Sequence, residues 1–178
     1  MDLENIFNTY YDKIYSFTLL RVGNIQNAED IASDVFVRVV EKIDTYRPEK
    51  AALSTWIFSI AINEIKMYYR GRKVTGSLDE LYKLADRLNI EEELLRQDER
   101  VHLCQAISEL NDRQKNAVLL KYFAGLSNRQ VSEIMGLSET NVETILYRAK
   151  IILKNSLIKC EESCPVAYKE VRKEGSVR

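Results

Sequence analysis

Residues 126–150, LSNRQVSEIMGLSETNVETILYRAK, carry two helix starts separated by a glycine turn. Ser127 with Gln130 three positions on has the pattern of a capping box, and Gly136 supplies the residue that most readily takes the left-handed conformation closing a helix. Ser138 then offers a side-chain oxygen to the next helix start. Val131 and Ile134 fall at helical spacing to meet Val142 and Ile145, so the two segments can pack at an angle. That is helix-turn-helix spacing, in which the second helix enters a DNA major groove by its N-terminal residues. Its outward side holds Asn141, Thr144, Tyr147, Arg148 and Lys150, groups able to bond base edges or phosphates. Capped helices in this order also build plain bundle corners, so the flanking sequence has to decide.

Upstream, Leu103, Ile107 and Leu110 end one helix, and Asn111 with Gln114 opens another that runs to Gly125. Downstream, Val142, Ile145, Leu146, Ala149, Ile152 and Leu153 give the last helix its inward stripe. The stripe fades after about Ile158, so residues 159–178 are expected to form a disordered tail. At the other end, Ile6, Tyr10, Ile14 and Phe17 mark a first helix ending near Arg21 and Gly23. Asn27 is expected to cap a second helix that turns Ala28, Ile31, Ala32, Val35 and Val39 inward and Asp30, Asp34, Val37 and Glu41 outward. Pro48 breaks the pattern, and a broadly apolar helix resumes over residues 54–70 and closes at Gly71. The expected organisation is a helical domain over 1–73, a linker over 74–99 and a second helical domain over 100–158.

Composition agrees with an all-α chain of two small domains: 178 residues, 46% hydrophobic, 30% charged, with only six Gly and two Pro. Neither strand-like alternation nor a solenoid repeat is present. No apolar run reaches the length of a membrane span and the N-terminus lacks a signal-peptide pattern, so a cytoplasmic protein without membrane insertion is expected. Three cysteines without an export signal argue for reduced thiols. Cys160 and Cys164, with His102 and Cys104, could in principle supply four metal ligands. However, His102 and Cys104 point to different sides of a helix, and Pro165 disturbs a helical CEESC segment, so neither metal nor cofactor is expected. The single histidine has no nucleophile in a recognisable motif and there is no glycine-rich phosphate loop, so catalysis is not expected. Lys and Arg number 26 against 27 Asp and Glu, a net charge of -1. A chain that binds DNA with so little positive charge needs help from a partner.

Three stretches carry a family resemblance. Residues 103–150, from LCQAISELNDRQKNAVLLKYF to the helix-turn-helix, resemble the second conserved domain of bacterial RNA polymerase sigma factors, which reads the minus-thirty-five promoter element. AEDIASDVFVRVV, residues 28–40, resembles the helix by which these proteins dock on the polymerase clamp, and STWIFSIAINEIKMYYRGRK, residues 54–73, resembles their promoter-melting segment. Two domains without a third point to the extracytoplasmic-function branch. The resemblance implies a transcription-initiation subunit that partners core RNA polymerase and promoter DNA, is held by an anti-sigma factor, and is a monomer when free. It implies core contacts through Asp30, Asp34, Phe36, Val37 and Glu41, an acidic line beside apolar side chains that suits a basic partner with an apolar centre. For the minus-ten element it implies Trp56, Asn63, Lys66, Arg70, Arg72 and Lys73, with Asn63 against a flipped base and the loop Asp44–Leu53 around it. Basic groups beside flat side chains suit a separated strand, although a tryptophan more often packs in a core.

Two departures bear on the recognition helix. Glu143 stands where the family usually has Lys or Arg, and Ile145 where many members have Arg. Ser132 replaces a common small alanine and needs a hydrogen bond if buried. Two other readings stay open on sequence grounds: a regulator whose N-terminal helices dimerise or sense, and an interaction decoy that has lost DNA binding.

Overall fold

The computed structural model describes residues 2–70 and 97–163, without the side chains of 97–100 and 160–163. Helix α1, Leu3–Val22, starts where the Asp2 carboxylate accepts from the Glu4 N–H at 3.1 Å. It ends at Gly23, whose φ of 69° turns the chain through the left-handed region. The next residue is therefore already extended, and Asn24 rather than Asn27 caps α2, Ile25–Lys42; its side chain accepts from the Asn27 N–H at 2.9 Å. A single 3-10 turn, Ile43–Thr45, leads into the Pro48 loop and α3, Leu53–Arg70.

These three helices pack on one another around Phe17 and Phe58, both fully buried and set edge to face at 5.4 Å. Burying two aromatic rings of this size contributes about 1.5–3 kcal/mol each. Ile14, Val35, Val39, Ile57 and Ile65 complete that interior.

Helix α4, Gln97–Ser108, is followed by α5, Asp112–Val118, opened by the full Asn111–Gln114 capping box. The sequence suggested one helix continuing to Gly125. Instead, Leu119–Phe123 form a π turn, in which one extra residue is accommodated and the Ala124 N–H reaches back to the Leu119 carbonyl at 2.9 Å. This turn buries Leu119 and Leu120 and lays the segment against α1. Helix α6, Asn128–Met135, carries the Ser127–Gln130 capping box and stops at Gly136, with φ 65°. Ser138 Oγ accepts from the Asn141 N–H at 3.3 Å at the start of α7, Glu139–Ser163. Buried Ser132 satisfies its hydroxyl on the Arg129 carbonyl at 2.7 Å.

All described elements are helices or helical turns. The last helix runs to Ser163, past the expected start of the tail, because a proline restricts only the residue just before it. The remaining tail and the expected linker up to residue 96 lie outside the described residues, as do Gly71 and Cys164.

The N-terminal and C-terminal helices meet along a seam. Helix α3 lies against α6, and the π turn against α1. Across it, Gln130 Nε2 donates to Ser54 Oγ at 3.5 Å, and Arg21 Nη1 donates to Asp112 Oδ1 at 3.1 Å. The Arg21 side chain is 5% exposed and that of Asp112 is 82% exposed. Arg21 lies over the Tyr69 ring at 5.3 Å, while the Tyr69 hydroxyl donates to the Arg21 carbonyl at 2.6 Å. Burial, and then the charge of Arg21, push the Lys115 amine down from its ordinary value. Two cations thus share one solvent-facing carboxylate, and an ion pair so exposed on one side contributes about 1 kcal/mol or less.

Candidate nucleic-acid interface

On α2 the inward stripe leaves Asp30, Asp34, Val37 and Glu41 exposed. Their availability differs. Asp30 accepts from Gln26 Nε2 at 3.3 Å, and Glu41 accepts from Arg38 Nη1 at 2.9 Å. Arg38 also reaches Glu64 at 3.5 Å, and Glu41 followed by Glu64 raises its pKa, keeping it charged. Asp34 has no side-chain partner among the described residues. Phe36 was expected on the outer face with Val37, but it is buried. Its ring meets Phe7 at 5.0 Å and Tyr11 at 5.7 Å, so α1 covers it. The exposed apolar component beside the acidic line is Val37 and Val40, 55% and 54% exposed. Between α2 and α3 runs an open groove of about 400 Å³, lined by Asn27, Asp30, Ile31, Asp34, Glu64, Met67 and Tyr68.

On α3 the residues Asn63, Lys66 and Arg70 are exposed together with Met67. Ile60, one turn before Asn63, is buried, so the exposed stripe begins at Asn63. Trp56 is half-buried. It packs against the core, and its ring lies 5.3 Å from that of Tyr46, tilted by 45°. The Pro48 loop holds Tyr46 in place: its hydroxyl donates to the Ala51 carbonyl at 3.0 Å, and Arg47 Nη1 donates to the Asp44 and Tyr46 carbonyls. The loop and Trp56 therefore border one aromatic corner at the start of α3. Arg72 and Lys73 lie outside the described residues.

On α7 the buried line Val142, Leu146 and Ala149 leaves Thr140, Thr144, Tyr147 and Ile151 as the outermost crest. Tyr147 is 67% exposed. Asn141 and Arg148 flank the crest on one side and Glu143 and Lys150 on the other. The Thr144 hydroxyl donates to the Thr140 carbonyl at 2.9 Å, which leaves it only as an acceptor. Lys150 stands over the Tyr122 ring at 5.4 Å, and Asn128 Nδ2 donates to Glu143 Oε1 at 3.4 Å. Tyr122 and Asn128 join this surface without having been anticipated. Tyr122 owes its position to the π turn, which no local pattern announces, whereas Asn128 sits one residue after a cap that the sequence did reveal.

The described residues contain no group of three or more His, Cys, Asp or Glu side chains placed to hold a metal. Cys104 is buried, and burial pushes its thiol up to about 12, so it stays protonated. No helix among the described residues is long and apolar enough to cross a membrane.

Comparison with known proteins identifies the family of the chain. Residues 6–75 match the model of sigma-70 region 2, and residues 103–153 match that of sigma-70 region 4. The chain is 28% identical over 165 residues to the RNA polymerase sigma factor YlaC of Bacillus subtilis, covering 90% of this chain and 94% of that one. It is 29% identical over 164 residues to the ECF RNA polymerase sigma factor SigW of the same organism, covering 86% and 87%. Among solved structures, it shares its fold with CnrH in complex with the cytosolic domain of CnrY, at a TM-score of 0.67 and 18% identity over 88% of both chains. It also shares it with the sigma factor RpoE of Bartonella quintana in complex with the anti-sigma factor NepR, at 0.66 and 20% identity over 86% of this chain and 95% of that one. With the models of sigma-70 region 2 and region 4 matched in order over more than half of the chain, and with ECF sigma factors among its relatives, the chain belongs to the extracytoplasmic-function branch of the sigma-70 family.

Proposed function

We propose that this protein binds core RNA polymerase through α2 and directs promoter-specific initiation, with α3 and the Pro48 loop at the minus-ten element and α7 at the minus-thirty-five element. It supplies binding and strand separation and leaves the chemistry to the polymerase. The observation that carries this is the exposed line Asp30–Asp34–Val37–Glu41 beside the α2–α3 groove. Acidic groups around apolar ones suit a basic partner surface with an apolar centre. Asp34, the one carboxylate of the line with no described partner, is the group most available to it.

The two elements are named for positions about 25 base pairs apart, roughly 80 Å along B-form DNA at about 34 Å per turn. A chain of this length folded into one body is about 40 Å across. The seam must therefore open before both elements are held. Among the described residues its polar contacts are an ion pair exposed on the Asp112 side and one long hydrogen bond, which polymerase binding can exchange. The anti-sigma factor carried by RpoE of Bartonella quintana supports the proposal that this chain, too, has a partner that keeps it from the polymerase.

Co-elution with sigma-free core polymerase tests the reading. The wild-type protein is expected to co-elute, and the Asp34→Arg variant, folded by its helical spectrum, to elute alone. A wild-type chain that stays separate from core contradicts the proposal.

A further inference from the structure

The recognition helix enters its groove with an unusual charge distribution. Its first two turns hold two carboxylates, Glu139 and Glu143, and no cation precedes Arg148. Glu143 stands one turn in, beside the crest, where residues of such a helix contact base edges. A carboxylate facing phosphates weakens binding to every sequence alike. Facing a base edge it discriminates, because an ionised carboxylate can only accept hydrogen bonds.

Two major-groove groups donate: the cytosine N4 amine and the adenine N6 amine. Adenine sets the acceptor N7 next to its amine, so a second carboxylate oxygen would meet a lone pair. Cytosine has a carbon-bound hydrogen there. Cytosine is therefore the better match for Glu143.

The side chain also has a donor within reach on α6. Asn128, the first residue of α6, donates from Nδ2 to Glu143 Oε1 at 3.4 Å. The Oδ1 of the same amide is buried and has no described partner, so its donor end is the one turned outward. No ion pair diverts Glu143 among the described residues. One carboxylate oxygen is thus oriented by α6 and the other is left for a ligand.

We propose that Glu143 is a specificity-determining residue that selects cytosine at one position of the minus-thirty-five element, with Asn128 as its positioning residue. This rests on the reading of α7 as the minus-thirty-five helix. It assigns a role in base choice to the residue that costs the helix positive charge.

The test uses holoenzyme reconstituted from the full chain and core polymerase, and a promoter library randomised across the minus-thirty-five element. Fragments that yield start sites are sequenced for the wild type, Glu143→Gln, and Asn128→Ala. The wild type is expected to prefer cytosine at one position by about 5- to 100-fold. In Glu143→Gln that preference is expected to move to adenine, since a glutamine amide can bond N6 and N7 together. Asn128→Ala should weaken the cytosine preference at the same position and leave the other positions unchanged. If Glu143→Gln raises the yield of all fragments alike with every base preference intact, Glu143 only repels the backbone and the proposal fails. A wild type without a cytosine preference overturns it equally. A wild type that yields no start sites on any fragment takes down the initiation reading beneath it.

Discussion

Helices α3 and α7 are both proposed to meet DNA, yet they carry their exposed charge differently. Helix α3 is an apolar core helix whose exposed side carries Lys66 and Arg70 beside Asn63 and Met67, none of the two cations tied to a carboxylate among the described residues. Helix α7 presents the uncharged crest Thr140, Thr144, Tyr147 and Ile151, flanked by Asn141 and Arg148 on one side and, on the other, by Glu143 and a Lys150 that already sits over Tyr122. The contrast separates two tasks. A melted strand is a flexible polyanion and is held by charge and stacking. A closed duplex element is selected by base edges and shape, and extra cations there would add affinity without choice. A sigma factor of near-zero net charge can afford a recognition helix of this kind only if the polymerase brings the two into proximity, which raises effective concentration in place of charge.

The comparison breaks most sharply under charge reversal. The double substitution Lys66→Glu, Arg70→Glu is expected to reduce promoter opening by holoenzyme about 100-fold and to flatten the salt dependence by about two phosphate contacts. Permanganate reactivity of the melted bases measures it. Tyr147→Ala should instead lower initiation by about 5-fold with the salt dependence unchanged, because it removes shape and not charge. Equal salt slopes in the two variants would dissolve the distinction.

A second expectation concerns the seam, which holds both helices in one body. In a Cys160→Ser, Cys164→Ser background, Ser54→Cys and Gln130→Cys joined by a short cleavable bismaleimide are expected to reduce initiation about 10-fold or more, with recovery on cleavage. Full activity while cross-linked would show that the two regions need not part.

The smallest effect is expected at Asp112. Asp112→Asn leaves Arg21 and Lys115 facing one another without their counter-charge and should loosen the seam by about 1 kcal/mol or less. Lys115 is depressed in the closed form, which therefore binds fewer protons than the open form between that lowered value and the ordinary 10.5. Closure accordingly strengthens as pH rises through that window. Energy transfer between dyes on the two regions reads both effects.

Much of the architecture was legible because it is written in local chemistry. The two capping boxes, Asn111–Gln114 and Ser127–Gln130, and the left-handed glycines at 23 and 136 fix helix ends within a few residues. What escaped depends on distant contacts. The resemblance implied Phe36 as a contact residue, but aromatic residues of α1 cover it. The π turn at 119–123 is an apolar run like any helix until α1 packs on it. The second helix is capped at Asn24, three residues before the expected Asn27, because two asparagines offer equivalent caps after Gly23 and only the one next to the turn is extended. The seam ion pair joins residues 91 positions apart, beyond any pattern in the chain. On α7 the exposed Asn141, Tyr147 and Arg148 follow from period alone, whereas the contact of Asn128 with Glu143 needs the angle between α6 and α7.

The central claim is tested most directly by start-site mapping with sigma-free core polymerase on a library of promoter fragments. The account predicts discrete start sites that appear only when this protein is added and vanish with the folded Asp34→Arg variant. Transcripts that are unchanged by adding the protein, or that persist in Asp34→Arg, would contradict it.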